Sequence, residues 1–351
     1  MGGAEKQLLT LIDEQVKSGR KVSVVYLKGM PELESAISQT GADLVKSFSN
    51  KNPLIQAFKI RRMLSKKKDS IVHAHLPRAE LLTFFLQRNS NIVLSRHNAE
   101  KFFPAAPKLI SRILSNLVVF RANQVIAISE AVKNYLIESK EIRNHSKIKV
   151  IYYGFETRGN TSDLIEEKIR DLDNFDFLIG TIARLVPQKD LETLLTAFSI
   201  FSNQESSARL VIVGDGYLKE SLIEYASKIG IANKVIWLGR VGNIQAVIRK
   251  MKVFALTSIY EGFGLVLLEA MAEGVPIAAA NNSAIPEVLG EGYEGLFETG
   301  NAQMLAKRLF EVSEPKKAQE LVKYLNYRIK KFEPNRMRLK IDEIYAELER
   351  I

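Results

Sequence analysis

The chain has 351 residues and contains no cysteine. It therefore forms no disulfide, offers no thiolate to a metal ion and has no cysteine nucleophile, which fits a reducing compartment. Long apolar runs are missing too. No run reaches the roughly 18 apolar residues that are needed to cross a membrane, and the first residues lack the apolar core of a signal peptide. We expect a cytoplasmic protein, working in the cytosol or peripherally on the inner face of the cell membrane.

Acidic residues do not balance the basic ones in the first half of the chain. The net charge is +10, divided into +12 for residues 1–157 and −2 for residues 158–351, and the excess is densest at residues 59–68 (KIRRMLSKKK). Such a segment fits either a solvated helix face or attraction to an anionic surface or substrate. Nucleic acid is not an expected partner, because the basic run has no interleaved aromatic residues and no RNA-binding signature accompanies it.

Short apolar or β-branched runs alternate with amphipathic helical patterns along the whole chain. The first half contains such runs at residues 21–27, 70–75, 91–97, 124–129 and 149–154. The second half contains them at residues 177–183, 209–214, 234–239, 252–258 and 275–280. A polar, strand-free stretch at residues 156–175 separates the two series. The alternation predicts an α/β protein with two doubly wound, Rossmann-like domains that share a cleft at the carboxyl ends of their strands.

The most informative segment is YEGFGLVLLEAMAEGVP at residues 260–276. Gly262 and Gly264 predict a turn that presents backbone N–H groups and a helix N-terminus to an anion. Glu261 and Glu269 stand eight residues apart, about 12 Å along a helix, which is too far for the roughly 5 Å pair of a retaining glycosidase. The spacing fits two anchors on one elongated ligand, and the alternative is two exposed helix carboxylates.

Cations and glycines follow the neighbouring predicted strands. Arg184 ends the strand in GTIARLVPQKD, and Lys189 comes just before Asp190, which we expect to be the N-cap of the next helix. Two cations at a strand end suit a diphosphate. The arginine guanidinium can bind phosphate oxygens through two N–H groups, and the lysine ammonium acts as a point charge. VIVGDG at residues 211–216 adds a glycine turn at the following strand end.

In this order, the motifs resemble those of the retaining glycosyltransferases of family 4, which have the two-domain GT-B fold. The resemblance rests on Arg184 with Lys189, Gly214-Asp215-Gly216, LGRV at residues 238–241, residues 257–279 and residues 285–289. It extends into the first half through residues 2–27, 71–82, 125–136 and 149–156. It implies an N-terminal acceptor-binding domain at residues 1–157, a C-terminal nucleotide-sugar-binding domain at 158–335, and a helix at 336–351 that returns to the first domain.

The resemblance also implies how a nucleotide-diphosphate sugar would bind. Glu269 would hold the ribose hydroxyls, Arg184 and Lys189 the diphosphate, and Glu261 the hydroxyls of the sugar. We place Arg184, Lys189 and Glu261 in the catalytic set. The expected donor-binding set is completed by Gly216, Val241, Gly262, Phe263 and Gly264. Transfer would retain the anomeric configuration, and the enzyme would mainly stabilise the charge of the leaving diphosphate.

The first domain is expected to hold the acceptor, a glycan or a polyprenyl-linked sugar. His97 matches a family histidine that faces the cleft, and we place it in the catalytic set, with a histidine merely satisfied at a strand end as the alternative. The positive charge of this domain would suit an anionic membrane surface, although a soluble acceptor fits as well. No metal or other cofactor is expected, and we predict that His73 and His75 point to opposite faces of their strand.

The opening residues Gly2 and Gly3 form a glycine turn with no strand in front of it. In the family a buried strand feeds this turn, whose N–H groups approach phosphate or acceptor. We therefore expect that the first strand of the fold is missing and that Met1 is internal to the natural protein.

Other enzyme classes are less compatible with these motifs. A nucleotide-sugar epimerase of the same fold and a non-catalytic sugar-nucleotide-binding homologue remain alternatives. An oxidoreductase with a Rossmann domain would need a GxGxxG motif followed about 20 positions later by an acidic residue. This sequence does not contain that combination.

Overall fold

The computed structural model describes residues 3–27, 33–45, 51–65, 70–87, 89–156 and 167–350. The chain divides into two compact units. The first unit comprises Met1–Glu156 and Phe332–Ile351, and the second comprises Thr157–Lys331. Gly2 and any strand ahead of Gly3 lie outside the described residues.

Parallel strands and helices alternate in the first unit. Its strands are β1 (Ser23–Val25), β2 (Asp43–Val45), β3 (Ile71–His75), β4 (Asn91–Arg96), β5 (Gln124–Ala127) and β6 (Ile148–Val150). Its helices before residue 156 are α1 (Gly3–Lys17), α2 (Glu34–Gln39), α3 (Pro53–Leu64), α4 (Pro77–Thr83), α5 (Lys108–Arg121) and α6 (Glu130–Glu138). The strands form a β1-β2 pair and a β3-β4-β5-β6 sheet, both parallel.

The two sheets of the first unit are separated by a cavity of about 860 Å³. Residues of β1 and of β3 both line it. Among the described residues, β1 pairs with β2 alone and β3 with β4 alone, so each strand turns one backbone edge away from its sheet partner.

The second unit contains one six-stranded parallel sheet. Its strands are β7 (Leu178–Ile182), β8 (Arg209–Val213), β9 (Val235–Gly239), β10 (Val253–Leu256), β11 (Ile277–Ala280) and β12 (Leu296–Phe297). Its helices are α7 (Glu167–Arg170), α8 (Leu191–Gln204), α9 (Lys219–Lys228), α10 (Ile244–Ile248), α11 (Leu265–Ala272), α12 (Ile285–Leu289), α13 (Ala302–Ser313) and α14 (Pro315–Arg328). The strand order is β12-β11-β10-β7-β8-β9, so the direction of strand addition reverses between β7 and β10. Strands β10 and β11 are buried along their whole length, as expected for a parallel sheet that is covered on both faces.

The last helix, α15 (Pro334–Glu349), belongs to the first unit. Its apolar stripe joins a buried cluster whose members are Leu11, Val93, Ile126, Ile151, Met337, Ile341, Ile344, Tyr345 and Leu348. The predicted α/β class, with parallel sheets in two units and a terminal helix on the first, is therefore confirmed. Among the described residues, none of the helices combines the length and the apolar character needed to cross a bilayer.

Candidate active site

The reversal of strand order between β7 and β10 marks where a ligand of the second unit would bind, since the loops after neighbouring strands diverge there. The segment after β7 carries Arg184 and Lys189, and the segment after β10 carries Glu261 and the glycine turn. The predicted catalytic residues of the second unit are thus brought to adjacent strand ends, although the two segments are about 70 residues apart in sequence.

A buried ion pair joins the two segments. Lys189 Nζ lies 2.5 Å from Glu261 Oε1, and the side chains are only 13% and 10% exposed. The hydroxyl of Ser258 donates to the same carboxylate oxygen at 2.6 Å. Because a buried carboxylate is costly unless it is paired and hydrogen-bonded, these two contacts account for its position.

Backbone contacts fix the turn that carries Lys189. The turn, a 3₁₀ helix at Pro187–Lys189, receives the hydroxyl of Thr257 on the carbonyl of Lys189 at 2.7 Å. Gln188 pairs with the other segment twice: its carbonyl accepts from the N–H of Ile259 at 2.8 Å, and its side-chain amide donates to the carbonyl of Tyr260 at 2.9 Å. These three hydrogen bonds join the turn of Lys189 to the segment after β10.

Asp190 occupies the predicted N-cap position of α8 but does not cap in the expected way. Its side chain accepts from the hydroxyl of Thr193 at 2.7 Å, and it makes no hydrogen bond to a backbone N–H of the first turn. Asp190 adopts a left-handed conformation with φ of 45°, so it ends the 3₁₀ turn and starts α8. The prediction that Asp190 is the N-cap of α8 is confirmed by its position, although its side chain makes no capping hydrogen bond.

Gly214 and Gly216 allow the loops after β7 and β8 to touch. A Cβ atom on Gly214 would lie 1.9 Å from the carbonyl oxygen of Ala183, and one on Gly216 would lie 2.3 Å from that of Leu185. Two backbone hydrogen bonds join the loops here, from Leu185 N–H to Asp215 and from Leu218 N–H to Leu185. The glycine turn therefore supports the loop that carries Arg184 and Lys189.

The turn before α11 and the helix itself carry further residues that were predicted to contact the nucleotide sugar. Gly264 has φ of 88° and directly precedes α11, and Phe263 beside it is buried. The N–H of Glu261 donates to the Ser283 hydroxyl at 2.8 Å, which anchors the turn. Glu269 lies inside α11 and is 8% exposed, so it is not one of the exposed helix carboxylates that the alternative interpretation requires.

Arg184 and Val241 have surroundings different from those of the Lys189–Glu261 pair. Arg184 is exposed, and no hydrogen bond or ion pair of its guanidinium is found within the described ranges of the chain. Arg184 is therefore able to turn toward an anionic group.

Val241 is half-buried and follows the end of β9. Next to it, Lys168 Nζ donates to the carbonyl of Arg240 at 2.7 Å.

His97 lies in the first unit and has both ring nitrogens occupied. Its Nε2 faces His75 Nδ1 at 3.1 Å, and its Nδ1 makes a short hydrogen bond with the Tyr153 hydroxyl. Burial holds the pKa of His97 well below its ordinary value of 6.5, so the ring is neutral at pH 7. The same cause lowers the pKa of His75 to about 4. In this arrangement His97 reaches a ligand only if one of these hydrogen bonds is exchanged.

His73 and His75 lie side by side, with ring centroids 4.2 Å apart. The expectation that they point to opposite faces was wrong, because residues two apart in a strand share a face. His73 hydrogen-bonds to the Tyr345 hydroxyl of α15 at 2.6 Å and to the Ser95 hydroxyl at 2.7 Å. Among the described residues, no group of three or more histidine, aspartate or glutamate side chains is arranged to hold a metal ion.

Sequence reasoning did not identify His75 and Tyr153 as neighbours of His97, or Ser258 as a partner of Glu261. The signal for His75 was its spacing of two from His73, and Ser258 precedes Glu261 by three residues. Gly3, a predicted phosphate or acceptor contact, is the exposed first residue of α1.

Two sequence-family models match the chain. The one described as Glycosyl transferases group 1 matches residues 163–332, and the one described as Glycosyltransferase Family 4 matches residues 1–158. The chain belongs to the family 4 glycosyltransferases. It is thus an enzyme of the transferase class, and the predicted family is confirmed.

Individual relatives of this glycosyltransferase are distant. The capsular polysaccharide biosynthesis glycosyltransferase CapM of Staphylococcus aureus is 26% identical over 259 residues, which cover 70% of this chain and 68% of that protein. The UDP-Gal:alpha-D-GlcNAc-diphosphoundecaprenol alpha-1,3-galactosyltransferase of Escherichia coli is 27% identical over 269 residues, which cover 73% of this chain and 69% of that protein.

Solved structures share the fold over nearly the whole chain. HepE of Anabaena, solved with UDP and glucose, aligns with a TM-score of 0.80 at 22% identity and covers 99% of this chain and 96% of that one. Sucrose-phosphate synthase of Thermosynechococcus elongatus aligns with a TM-score of 0.75 at 17% identity, covering 99% and 94%. These likenesses establish the GT-B fold of this glycosyltransferase.

Proposed function

We propose that this glycosyltransferase moves a sugar from a nucleotide-diphosphate sugar to a hydroxyl of a glycan or lipid-linked acceptor, with retention of configuration. The observation that carries the proposal is the buried Lys189–Glu261 pair at the β7/β10 strand ends, with the exposed Arg184 five residues before Lys189. The names of the capsular polysaccharide and diphosphoundecaprenol relatives support a role in cell-surface polysaccharide assembly.

The second unit is proposed to bind the donor. Lys189 donates one N–H to Glu261 and has two further donors, and Arg184 supplies a forked cation, so together they would neutralise the diphosphate. This charge compensation stabilises the leaving group as the glycosidic bond breaks, and removal of one such preorganised donor costs about 3 to 4 kcal/mol of transition-state stabilisation. Glu261, fixed by Ser258 and Lys189, would hold the sugar hydroxyls.

The other donor contacts follow from position. Glu269 on α11 would hold the ribose hydroxyls, and the turn before α11 would offer backbone N–H groups to sugar and phosphate. Gly216 would flank the phosphates and Val241 the base. The first unit would bind the acceptor near His97, at an anionic membrane face, with the N–H of Gly3 at the start of α1 available to phosphate or acceptor.

The test begins with a thermal-shift screen of nucleotide sugars and continues with two variants. We expect Glu269→Gln to weaken donor binding at least tenfold, because the ribose loses its charged hydrogen-bond acceptor. We expect Arg184→Ala mainly to lower turnover. Glu273→Gln, at the end of the same helix, and Arg170→Ala, exposed on α7, serve as matched controls.

The outcomes separate the candidate activities. Unchanged donor affinity in Glu269→Gln contradicts the ribose assignment. Conversion of the nucleotide sugar without transfer of labelled sugar to an acceptor would identify an epimerase instead. Donor binding with neither transfer nor hydrolysis would identify a non-catalytic homologue.

A further inference from the structure

Helix α5 turns its large apolar side chains to solvent. Between 45% and 80% of each is exposed in the following set: Leu109, Ile110, Ile113, Leu117 and Phe120. They recur at intervals of one, three and four residues and therefore form one stripe along the helix. The buried face carries Ser111, Ser115, Val118 and Val119. The helix thus has larger apolar residues outside than inside, the reverse of an ordinary surface helix.

The elements next to α5 also expose apolar side chains. Helix α4 contacts both α3 and α5, and the guanidinium of Arg121 at the end of α5 donates to the carbonyls of Leu86 and Gln87. Exposed apolar side chains on α3 and directly after α4 are Leu54, Ile55, Phe58, Phe84 and Phe85. These five residues and the five of α5 are called the docking surface. Isolated exposed apolar residues are normal, but ten on α4 and the two helices that contact it mark an interaction site.

In the segments that carry most of this surface, every charged residue is basic. Residues 51–65 and 101–121 contain eight cations and no aspartate or glutamate: Lys51, Lys59, Arg61, Arg62, Lys101, Lys108, Arg112 and Arg121. The charge of Lys51 lowers the pKa of Lys59, so these two ammonium groups lie close together. Whatever covers the docking surface must therefore combine an apolar interior with negative charge.

We propose that the docking surface lies on an anionic lipid bilayer, with its apolar side chains at the boundary between headgroups and acyl chains and its cations on the lipid phosphates. Amphipathic basic helices bind bilayers by these two contributions together. A second copy of the chain is disfavoured as the occupant, because a symmetric contact would bring the basic side chains of both copies face to face.

The role of this membrane binding rests on the proposed function, because a lipid-linked acceptor is presented at such a surface. Binding itself needs neither donor nor acceptor. The experiment therefore measures sedimentation of the full chain with vesicles in the absence of any sugar nucleotide. One set of vesicles contains phosphatidylcholine alone, and in the other about a third of the lipid is anionic phosphatidylglycerol.

Two double variants separate the contributions. Ile113→Ser with Phe120→Ser removes apolar contact at unchanged charge, and we expect affinity for the anionic vesicles to fall about tenfold or more. Arg62→Gln with Lys108→Gln removes two cations, and we expect a loss of roughly fivefold for each. Matched controls in the second unit are Tyr327→Ser, 71% exposed, and Lys323→Gln, and both should bind as the unchanged chain does.

Binding to anionic vesicles that both double variants weaken would support the proposal. Equal binding to both vesicle types, or no binding to either, would overturn it and leave the docking surface to a protein partner. Loss with the charge variant alone would also overturn it, since the apolar residues would then lie outside the contact. A dimer in light scattering that Phe120→Ser dissociates would assign the surface to a second copy. Donor binding by the apolar variant, measured in solution, should be unchanged whatever the vesicle result.

Discussion

At the scale of single residues, the candidate site depends on close backbone contacts as much as on charged groups. Gly216 has no side chain to offer a ligand, yet it lies against the carbonyl of Leu185 in the loop that positions Arg184 and Lys189. A glycine at such a position is required by the approach of two backbones.

The variant Gly216→Ala should therefore displace the Arg184 loop. We expect a loss of about 2 kcal/mol in stability together with weaker donor binding, because the new Cβ would lie 2.3 Å from the Leu185 oxygen. Urea unfolding and calorimetric titration with the donor measure the two effects. Gly292→Ala is the matched control, since a Cβ there meets nothing within 4 Å. Equal behaviour of the two variants would show that the Gly216 contact does not matter.

The histidines of the first unit predict a pH effect on stability. Burial lowers the pKa of His75 from 6.5 to about 4. Between these two pH values His75 is therefore protonated in the unfolded chain and neutral in the folded chain. Stability is therefore full above pH 6.5 and is lost as the pH falls toward 4, by about 2 kcal/mol between pH 6.5 and pH 5 for this residue.

The test compares His75→Asn with the unchanged chain. The variant should lose less stability between pH 7 and pH 5, as measured by denaturant midpoints, whereas His145→Asn, at an exposed position, should keep the original slope. Burial also raises the pKa of Glu80 to about 7, which favours the folded state at lower pH. The difference between variants isolates the contribution of His75, and identical slopes would refute it.

At the scale of elements, α15 is a structural part of the first unit. Its ion pairs with Arg20, through Asp342 and Glu349, lie at its margin, and its apolar stripe supplies five members of a buried cluster. Gly154 permits the entry of this helix, because a Cβ there would lie 2.6 Å from the Cα of Pro334.

Truncating the buried stripe should destabilise the first unit. Ile341→Ala, at a side chain only 3% exposed, is expected to cost about 2 to 5 kcal/mol of unfolding free energy through lost burial and the cavity left behind. Leu339→Ala on the same helix, 48% exposed, should change it by no more than about 0.5 kcal/mol. Denaturant unfolding monitored by circular dichroism measures both, and similar costs would contradict the assigned packing.

At the scale of the whole molecule, the proposed transfer reaction uses the chain's own cations. Arg184 and Lys189 of the second unit would compensate the diphosphate charge, with the N-terminus of α11 beside them. We predict that transferase activity survives an excess of EDTA, measured with the donor that the thermal-shift screen identifies. Complete loss of activity that magnesium or manganese restores would show that a cation performs this compensation.

The sequence by itself determined the alternation of strands and helices, the two parallel α/β units and the family, although the short strands β2 and β12 were not predicted. These features depend on local periodicity, on turn residues such as Gly264, and on motifs read in order along the chain. A parallel sheet then brings strand ends to one edge, so the neighbourhood of Arg184, Lys189 and Glu261 was predictable as well.

Only the tertiary structure decided which side chains pair. The Lys189–Glu261 contact joins residues 72 apart, and His97 meets His75 and Tyr153 at separations of 22 and 56. Helix α5 shows the same limit, because its periodicity identifies an apolar stripe but not whether the protein covers it. Side-chain partners and exposure depend on how loops and helices pack at long range, and no local pattern in the chain records that geometry.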